Sequence, residues 1–321
     1  MPTELAERLA RTVTLEDGRR LGYADLGRPD GRPLLWFHGT PSSRLEAVWL
    51  DETAARTGWR LIAFDRPGHG LSSPNPDARI VGVAHDVAAL ADELGLDRFA
   101  VLGYSGGAPF ALAAAWGLVG RVSVVGLVSP WGPPDRAGAY QGVAWSERVS
   151  DGVARRVPAL TQALFAGLAW SLRWAPSTVV RLMARRLEGG EFGSSVDDPP
   201  TNEVLVPLRE ALRQGAAGPA RDLHLIVGPW GFDPGAVGVP VRVWHGDEDP
   251  EIPLHHGRYL ADVVPDGQLE VMAGGNHLAL YVQADHILRT LAGIVQSGGT
   301  PGGPSGLPIP LSDGDDVRPG R

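Results

Sequence analysis

Phe99-Ala100-Val101-Leu102-Gly103-Tyr104-Ser105-Gly106-Gly107-Ala108-Pro109 is the stretch on which the fold turns. Four apolar residues in a row, without the alternation of a half-exposed strand, predict a strand buried on both faces, as in a parallel sheet. The residues after it predict a tight strand-to-helix turn. A serine on such a turn crowds its neighbours, so Gly103 and Gly107 flank it while its hydroxyl projects into a cleft. Pro109 is tolerated in the first turn of the following helix, where its missing amide proton has no intrahelical partner.

The same rhythm extends outward in both directions. Short apolar runs bounded by Gly or Pro occupy residues 33–37, 60–64 and 122–128, and helical spacing occupies 83–94 and 109–116. Alternating strands and helices predict an α/β fold with a doubly wound, mostly parallel sheet. Its start is antiparallel, because residues 12–15 and 21–26 flank Glu16-Asp17-Gly18-Arg19, a hairpin signal. A strand over 239–245, a helix over 255–263, a strand over 268–272 and a helix over 278–295 complete the pattern. Between 131 and 222 it disappears: these residues hold four of the ten Trp (Trp131, Trp145, Trp170, Trp174), helical apolar patches and several Pro. The expected organisation is therefore a core over 1–130 and 223–296, a helical cap over 131–222, and a disordered tail over 297–321. In that tail 15 of 25 residues are Gly, Pro or Ser, leaving too few apolar groups to build a core.

Composition removes several functions. With 29 basic residues, all Arg, and 37 acidic ones, the net charge is −8 and no basic cluster offers a footprint for nucleic acid. The absence of Cys excludes disulfides, thiolate nucleophiles and iron-sulfur clusters. The apolar stretch at 157–170 is interrupted by Pro158 and shorter than the ~20 residues of a membrane span. The Arg-flanked segment 155–186 has the look of an amphipathic surface helix, but cap helices look the same, and membrane contact is not expected. The first residues lack a secretory pattern, so the expected location is cytoplasmic. Oligomeric state has no signature here.

A serine acting as nucleophile needs a base to take its proton and a carboxylate to orient that base. Both come after Ser105 in the chain. The strand at 239–245 runs into Gly246-Asp247-Glu248-Asp249-Pro250, and the strand at 268–272 runs into Gly274-Gly275-Asn276-His277. Three adjacent acids leave the choice among Asp247, Glu248 and Asp249 open. A further element, His38-Gly39-Thr40-Pro41, follows the strand at 33–37. The amides of Thr40 and Gly106 are the natural pair of donors for an oxyanion.

These segments, with Asp65-Arg66-Pro67-Gly68-His69-Gly70-Leu71-Ser72 and His245-Gly246-Asp247-Glu248-Asp249, resemble those of the α/β-hydrolase superfamily, in the group containing serine esterases, lipases and proline iminopeptidase-like proteins. The resemblance covers residues 20–130 and 229–295. It implies an eight-stranded, mostly parallel sheet with a cap inserted after the sixth strand. It also implies Ser105 as nucleophile, Asp249 as acid by spacing and His277 as base. Asn276 departs from the Gly that commonly precedes the family's histidine. The expected activity is hydrolysis of an ester or related acyl bond of a small, largely apolar substrate through an acyl-enzyme. An iminopeptidase-like activity is the nearest alternative; its amine-binding carboxylates would come from Glu188, Glu191, Asp197, Asp198 and Glu203. A non-turnover ligand-binding member of the fold is another.

The remaining histidines have plainer roles. The resemblance implies that His38 braces the oxyanion loop; His69 is expected to sit in a turn, while His85, His224 and His286 fall in helical or connecting context. His255-His256 near Asp247, Glu248 and Glu251 has metal-ligand chemistry, but adjacent side chains at a helix start diverge. No metal and no cofactor is expected. The cap Trp and Leu residues are expected either to form core or to line a substrate cavity.

Overall fold

The computed structural model describes residues 3–179 and 201–298. After α1 (Thr3–Leu9), the expected hairpin forms from β1 (Arg11–Thr14) and β2 (Arg20–Gly27), paired antiparallel. Then come β3 (Arg32–Phe37), a 3-10 helix at Arg44–Leu50, α2 (Asp51–Thr57), β4 (Trp59–Phe64), α3 (Val83–Glu93), β5 (Phe99–Tyr104), α4 (Ala108–Gly117) and β6 (Val122–Val128). The eight strands lie in the order β1-β2-β4-β3-β5-β6-β7-β8, where β7 is Val241–Gly246 and β8 is Gly267–Met272. β2 runs antiparallel to β4, and every pairing from β4 onward along that order is parallel.

Alternation along each strand divides the interior in two. Leu35, Phe37 and Val101 point into one apolar cluster, shared with Val87 and Leu90 of α3 and with Ala111 and Leu112 of α4. Leu34, Trp36 and Leu102 point into the other, shared with Leu288 and Leu291. These last two belong to α10 (Ala279–Gln296). Helices on both faces explain why β5 and β6 are buried at every residue and read as unbroken apolar runs. The parallel strands end at one edge, so the segments after β3, β5, β7 and β8 open onto a common cleft.

Between β6 and β7 the described residues contain helices and no strand: α5 (Trp145–Arg156), α6 (Pro158–Trp174), α7 (Thr201–Ala211) and α8 (Ala217–Ile226). The boundary expected at 222 falls inside α8. Leu172, Val179, Leu205, Leu208 and Leu212 give this insertion its own small apolar cluster. Ionic and polar ties fasten its later half to the core. Glu210 meets the buried Arg44 at 2.8 Å, which meets Asp65 at 2.6 Å. Gln214 Nε2 donates to the carbonyls of Gly70 and Ser72 at 2.8 and 2.7 Å.

The expectation for the cap tryptophans holds only for Trp131, which lines the cavity over Ser105. Trp145, Trp170 and Trp174 are 78%, 65% and 74% exposed, neither core nor cavity. α6 is apolar around most of its circumference, while only one stripe of it can meet its neighbours, so apolar spacing alone could not say which side is covered. Among the described residues no helix is long and apolar enough to cross a membrane. The expected tail lies outside the described residues from 299 onward. α9 (His255–Val263) packs against β7 and β8.

Candidate active site

Ser105 sits at the tip of the strand-to-helix turn with φ of 52°, a left-handed conformation that costs a non-glycine residue energy and persists only when its surroundings impose it. The flanking glycines explain how the turn closes. A Cβ at Gly103 would stand 2.9 Å from Ala111 Cβ, and one at Gly107 would overlap the Phe37 carbonyl oxygen. Larger residues would push α4 off the sheet and move the serine.

His277 arrives on the loop after β8. Its Nε2 lies 3.0 Å from Ser105 Oγ and its Nδ1 2.8 Å from Asp249 Oδ2. Of the three neighbouring acids on the loop after β7, Asp249 is the one bonded to His277. Asp249 is turned inward, its Oδ1 accepting the amides of Glu251 and Ile252 at 2.9 Å each. Asp247 and Glu248 point outward, and Asp247 instead accepts the Gly274 amide at 2.7 Å. Asn276 has a local use: its Oδ1 accepts the Leu278 amide at 3.0 Å and shapes the turn that carries His277. Tyr104 donates its hydroxyl to the His277 carbonyl at 3.1 Å, tying the turn that carries Ser105 to the same loop.

The electrostatics favour the imidazolium–carboxylate pair that forms once His277, neutral when it acts as a base, takes up a proton. Burial alone would lower the His277 pKa, but Asp249, Glu251 and Glu46 outweigh it, so the imidazole holds its proton above its ordinary value. Burial alone would raise Asp249; His277 and His245 reverse that and hold the carboxylate ionised. Glu251 Oε2 lies 3.6 Å from His277 Nε2. His255 and His256 stack on each other away from the serine, with His256 Nδ1 accepting the Gly132 amide.

Thr40 and Gly106 come together on the other side of Ser105: a Cβ added to Gly106 would stand 2.8 Å from Thr40 Oγ1. Gly106 lies in the first turn after β5, where amides have no intrahelical acceptor. The loop is held by groups with no catalytic look in the sequence. His38 bonds the Gly39 carbonyl through Nδ1 and accepts the Arg66 amide at Nε2, and burial lowers its pKa, so it stays a neutral brace. Glu46 accepts the Gly39 amide at 2.8 Å. Ser43 and Glu46 have the spacing of a helix capping box, yet the carboxyl reaches across to the loop instead.

Glu46 makes stability depend on pH. Burial raises its pKa from 4.5 to about 7, against the opposing pull of the Gly39 amide. The folded state binds this proton more tightly than the unfolded chain. The group's contribution is therefore complete below the unfolded value and lost as pH rises through about 7. Glu46→Gln carries no charge to bury. Its melting temperature relative to wild type is expected to rise between pH 5 and pH 9, by the equivalent of about 2–3 kcal/mol. A difference that does not vary with pH would contradict this.

A cavity of about 390 Å³ opens over Ser105 and His277. Leu164, Phe165 and Leu168 of α6, with Leu208, Leu223, Ile226 and Trp131, give it apolar walls, and Glu46, Glu147, Asp151 and Glu251 add carboxyls. The acids expected to bind an amine, Glu188, Glu191, Asp197 and Asp198, lie outside the described residues, as does the side chain of Glu203.

Comparison with known proteins agrees with this architecture. A model of the alpha/beta hydrolase fold family matches residues 32–284. The chain is 26% identical over 301 residues to a non-heme haloperoxidase of Rhodococcus erythropolis, covering 89% of this chain and 99% of that protein. It is also 26% identical over 294 residues to a bifunctional esterase/perhydrolase of Acinetobacter calcoaceticus, with 89% and 99% covered. Among solved structures, a thermophilic esterase from Thermogutta terrifontis superposes with a TM-score of 0.66 at 22% identity, covering 91% of this chain and 99% of that one. With a sheet in this strand order, helices on both faces and a family match across most of its length, the chain belongs to the alpha/beta hydrolase fold family.

Proposed function

We propose that the protein is a serine hydrolase that cleaves an ester bond of a small, largely apolar acyl compound through an acyl-enzyme on Ser105. One observation carries this: an unbroken line of hydrogen bonds from Ser105 Oγ through His277 to Asp249 faces an apolar-walled cavity. In the first step Ser105 Oγ attacks the carbonyl carbon as its proton passes to His277 Nε2. The carbonyl electron pair moves to oxygen, where the amides of Thr40 and Gly106 receive it. Asp249 keeps Nδ1 protonated and stabilises the imidazolium. Collapse of the tetrahedral species expels the alcohol, which takes the proton from His277. Water then repeats the sequence on the acyl-enzyme, with His277 again as base, and frees the acid. The relative named as an esterase/perhydrolase supports the ester side of this reading.

A second reading, cleavage beside a positively charged amine, is favoured by the carboxyls of Glu46, Glu147, Asp151 and Glu251 around the cavity. A panel of p-nitrophenyl esters of increasing acyl length, set against the p-nitroanilide of proline, separates the two. The expected result is ester cleavage with an optimum acyl length fixed by the cavity. Selective cleavage of the anilide would overturn the ester assignment.

A further inference from the structure

Asp222 takes no part in the steps of ester cleavage, yet it is buried, at 4% exposure, and fastened to the oxyanion loop. Its Oδ2 accepts from Thr40 Oγ1 at 2.6 Å and from Arg66 Nη2 at 2.7 Å, and its Oδ1 accepts from Arg66 Nε at 2.8 Å. Arg66 also donates to Thr40 Oγ1 at 2.8 Å, to the Gly39 carbonyl at 3.0 Å and to the His38 carbonyl. Its guanidinium lies 4.6 Å from the centre of the Phe110 ring on α4, the helix that follows Ser105. The Thr40 side chain is thus held at both its donor and its acceptor site, and the carbonyls before it are pinned by the same arginine.

The second oxyanion donor feels the same helix. Asp222 and Ile226 are four residues apart on one face of α8. A Cβ at Gly106 would stand 3.0 Å from Ile226 Cδ1 and 2.8 Å from Thr40 Oγ1. One face of a helix from the insertion therefore abuts both residues whose amides would meet the oxyanion. Asp222 is separated from Thr40 by 182 positions in the chain, so only the seating of α8 brings them together.

We infer that Asp222, with Arg66, is a positioning residue for the oxyanion hole: it locks Thr40 against Gly106, so that the seating of the inserted helices sets the aim of the two amides. This rests on the serine-hydrolase reading. Asp222 binds nothing of the substrate itself, so its effect falls on the transition state and not on substrate affinity.

The test uses the full chain carrying Thr40→Val or Asp222→Asn. Thr40→Val keeps the branched shape and the backbone amide and removes only the hydroxyl. Asp222→Asn leaves the buried Arg66 without its counter-ion, so Thr40→Val alone carries the test if that variant does not fold. On a p-nitrophenyl ester, kcat is expected to fall about 10- to 100-fold, less than the ~10²–10³ of losing a whole oxyanion donor, with KM within about twofold. The inhibition constant of an aryl boronic acid, whose serine adduct is tetrahedral, is expected to rise by the same factor as kcat falls. An unchanged kcat in folded Thr40→Val overturns the inference, as does a loss confined to KM. Labelling of wild type by a fluorophosphonate keeps the two failures apart. A wild type that neither labels at Ser105 nor turns over ester removes the hydrolase reading, whereas a wild type that does both beside an unaffected Thr40→Val removes only the role of Asp222.

Discussion

Ser105→Ala is expected to lose on the order of 10⁵–10⁶ in kcat on an ester that the wild type hydrolyses, while melting with the wild type. Ser105 Oγ is the hydroxyl bonded to His277 Nε2, at 3.0 Å, and in the proposed reaction it is the group that attacks. Its removal leaves the oxyanion donors and the cavity, which by themselves keep about 10³–10⁴ over the reaction in water. The side chain is small and Ala retains its Cβ, so the turn at φ 52° is no more strained than before. Steady-state kinetics beside a thermal melt checks both halves. Activity within tenfold of wild type would mean that another group attacks the carbonyl.

Asp249→Asn is the second large effect, a loss of about 10⁴ in kcat with little change in KM. The amide cannot hold Nδ1 protonated as the carboxylate does, nor offset the charge of the imidazolium that forms when Ser105 gives up its proton. Asp247→Asn provides the contrast, because Asp247 is exposed and its carboxylate accepts the Gly274 amide rather than facing His277. It is expected to leave kcat within a few-fold. If the two variants exchanged effects, the loop after β7 would be threaded differently in the working enzyme, with Asp247 turned toward His277.

Much of this site was legible because its chemistry is local. Ser105 follows an apolar run that could be recognised as a strand, the acid and His277 lie on the loops after two later strands, and the strands of a parallel sheet deliver their C-terminal loops to one edge. Gly103 and Gly107 were informative because contacts with α4 and with the Phe37 carbonyl leave no room for a Cβ. Asp249 needed more than spacing in the residues themselves: three adjacent acids differ only in which way the turn throws them, and the amides of Glu251 and Ile252 decide that.

Residues that act through packing left no such trace. Glu46 carries the signature of a helix cap and spends its carboxyl on the Gly39 amide. Asp222 reads as one acid among many in a helical stretch, and Arg66 as part of a turn motif with no role of its own. Their meaning comes from an ion pair across 156 positions of chain. The cap tryptophans show the converse. Apolar character in a helix states that it can be buried and not that it is, and Trp145, Trp170 and Trp174 face outward.

The most direct test of an activated serine is covalent. Wild type and Ser105→Ala are incubated with an aryl fluorophosphonate, and an intact-mass measurement is followed by peptide mapping. One adduct per wild-type chain, located on Ser105 and absent from the variant, is the predicted result. A well-folded wild type that stays unlabelled, or an adduct on any other residue, would contradict the assignment of Ser105 as nucleophile.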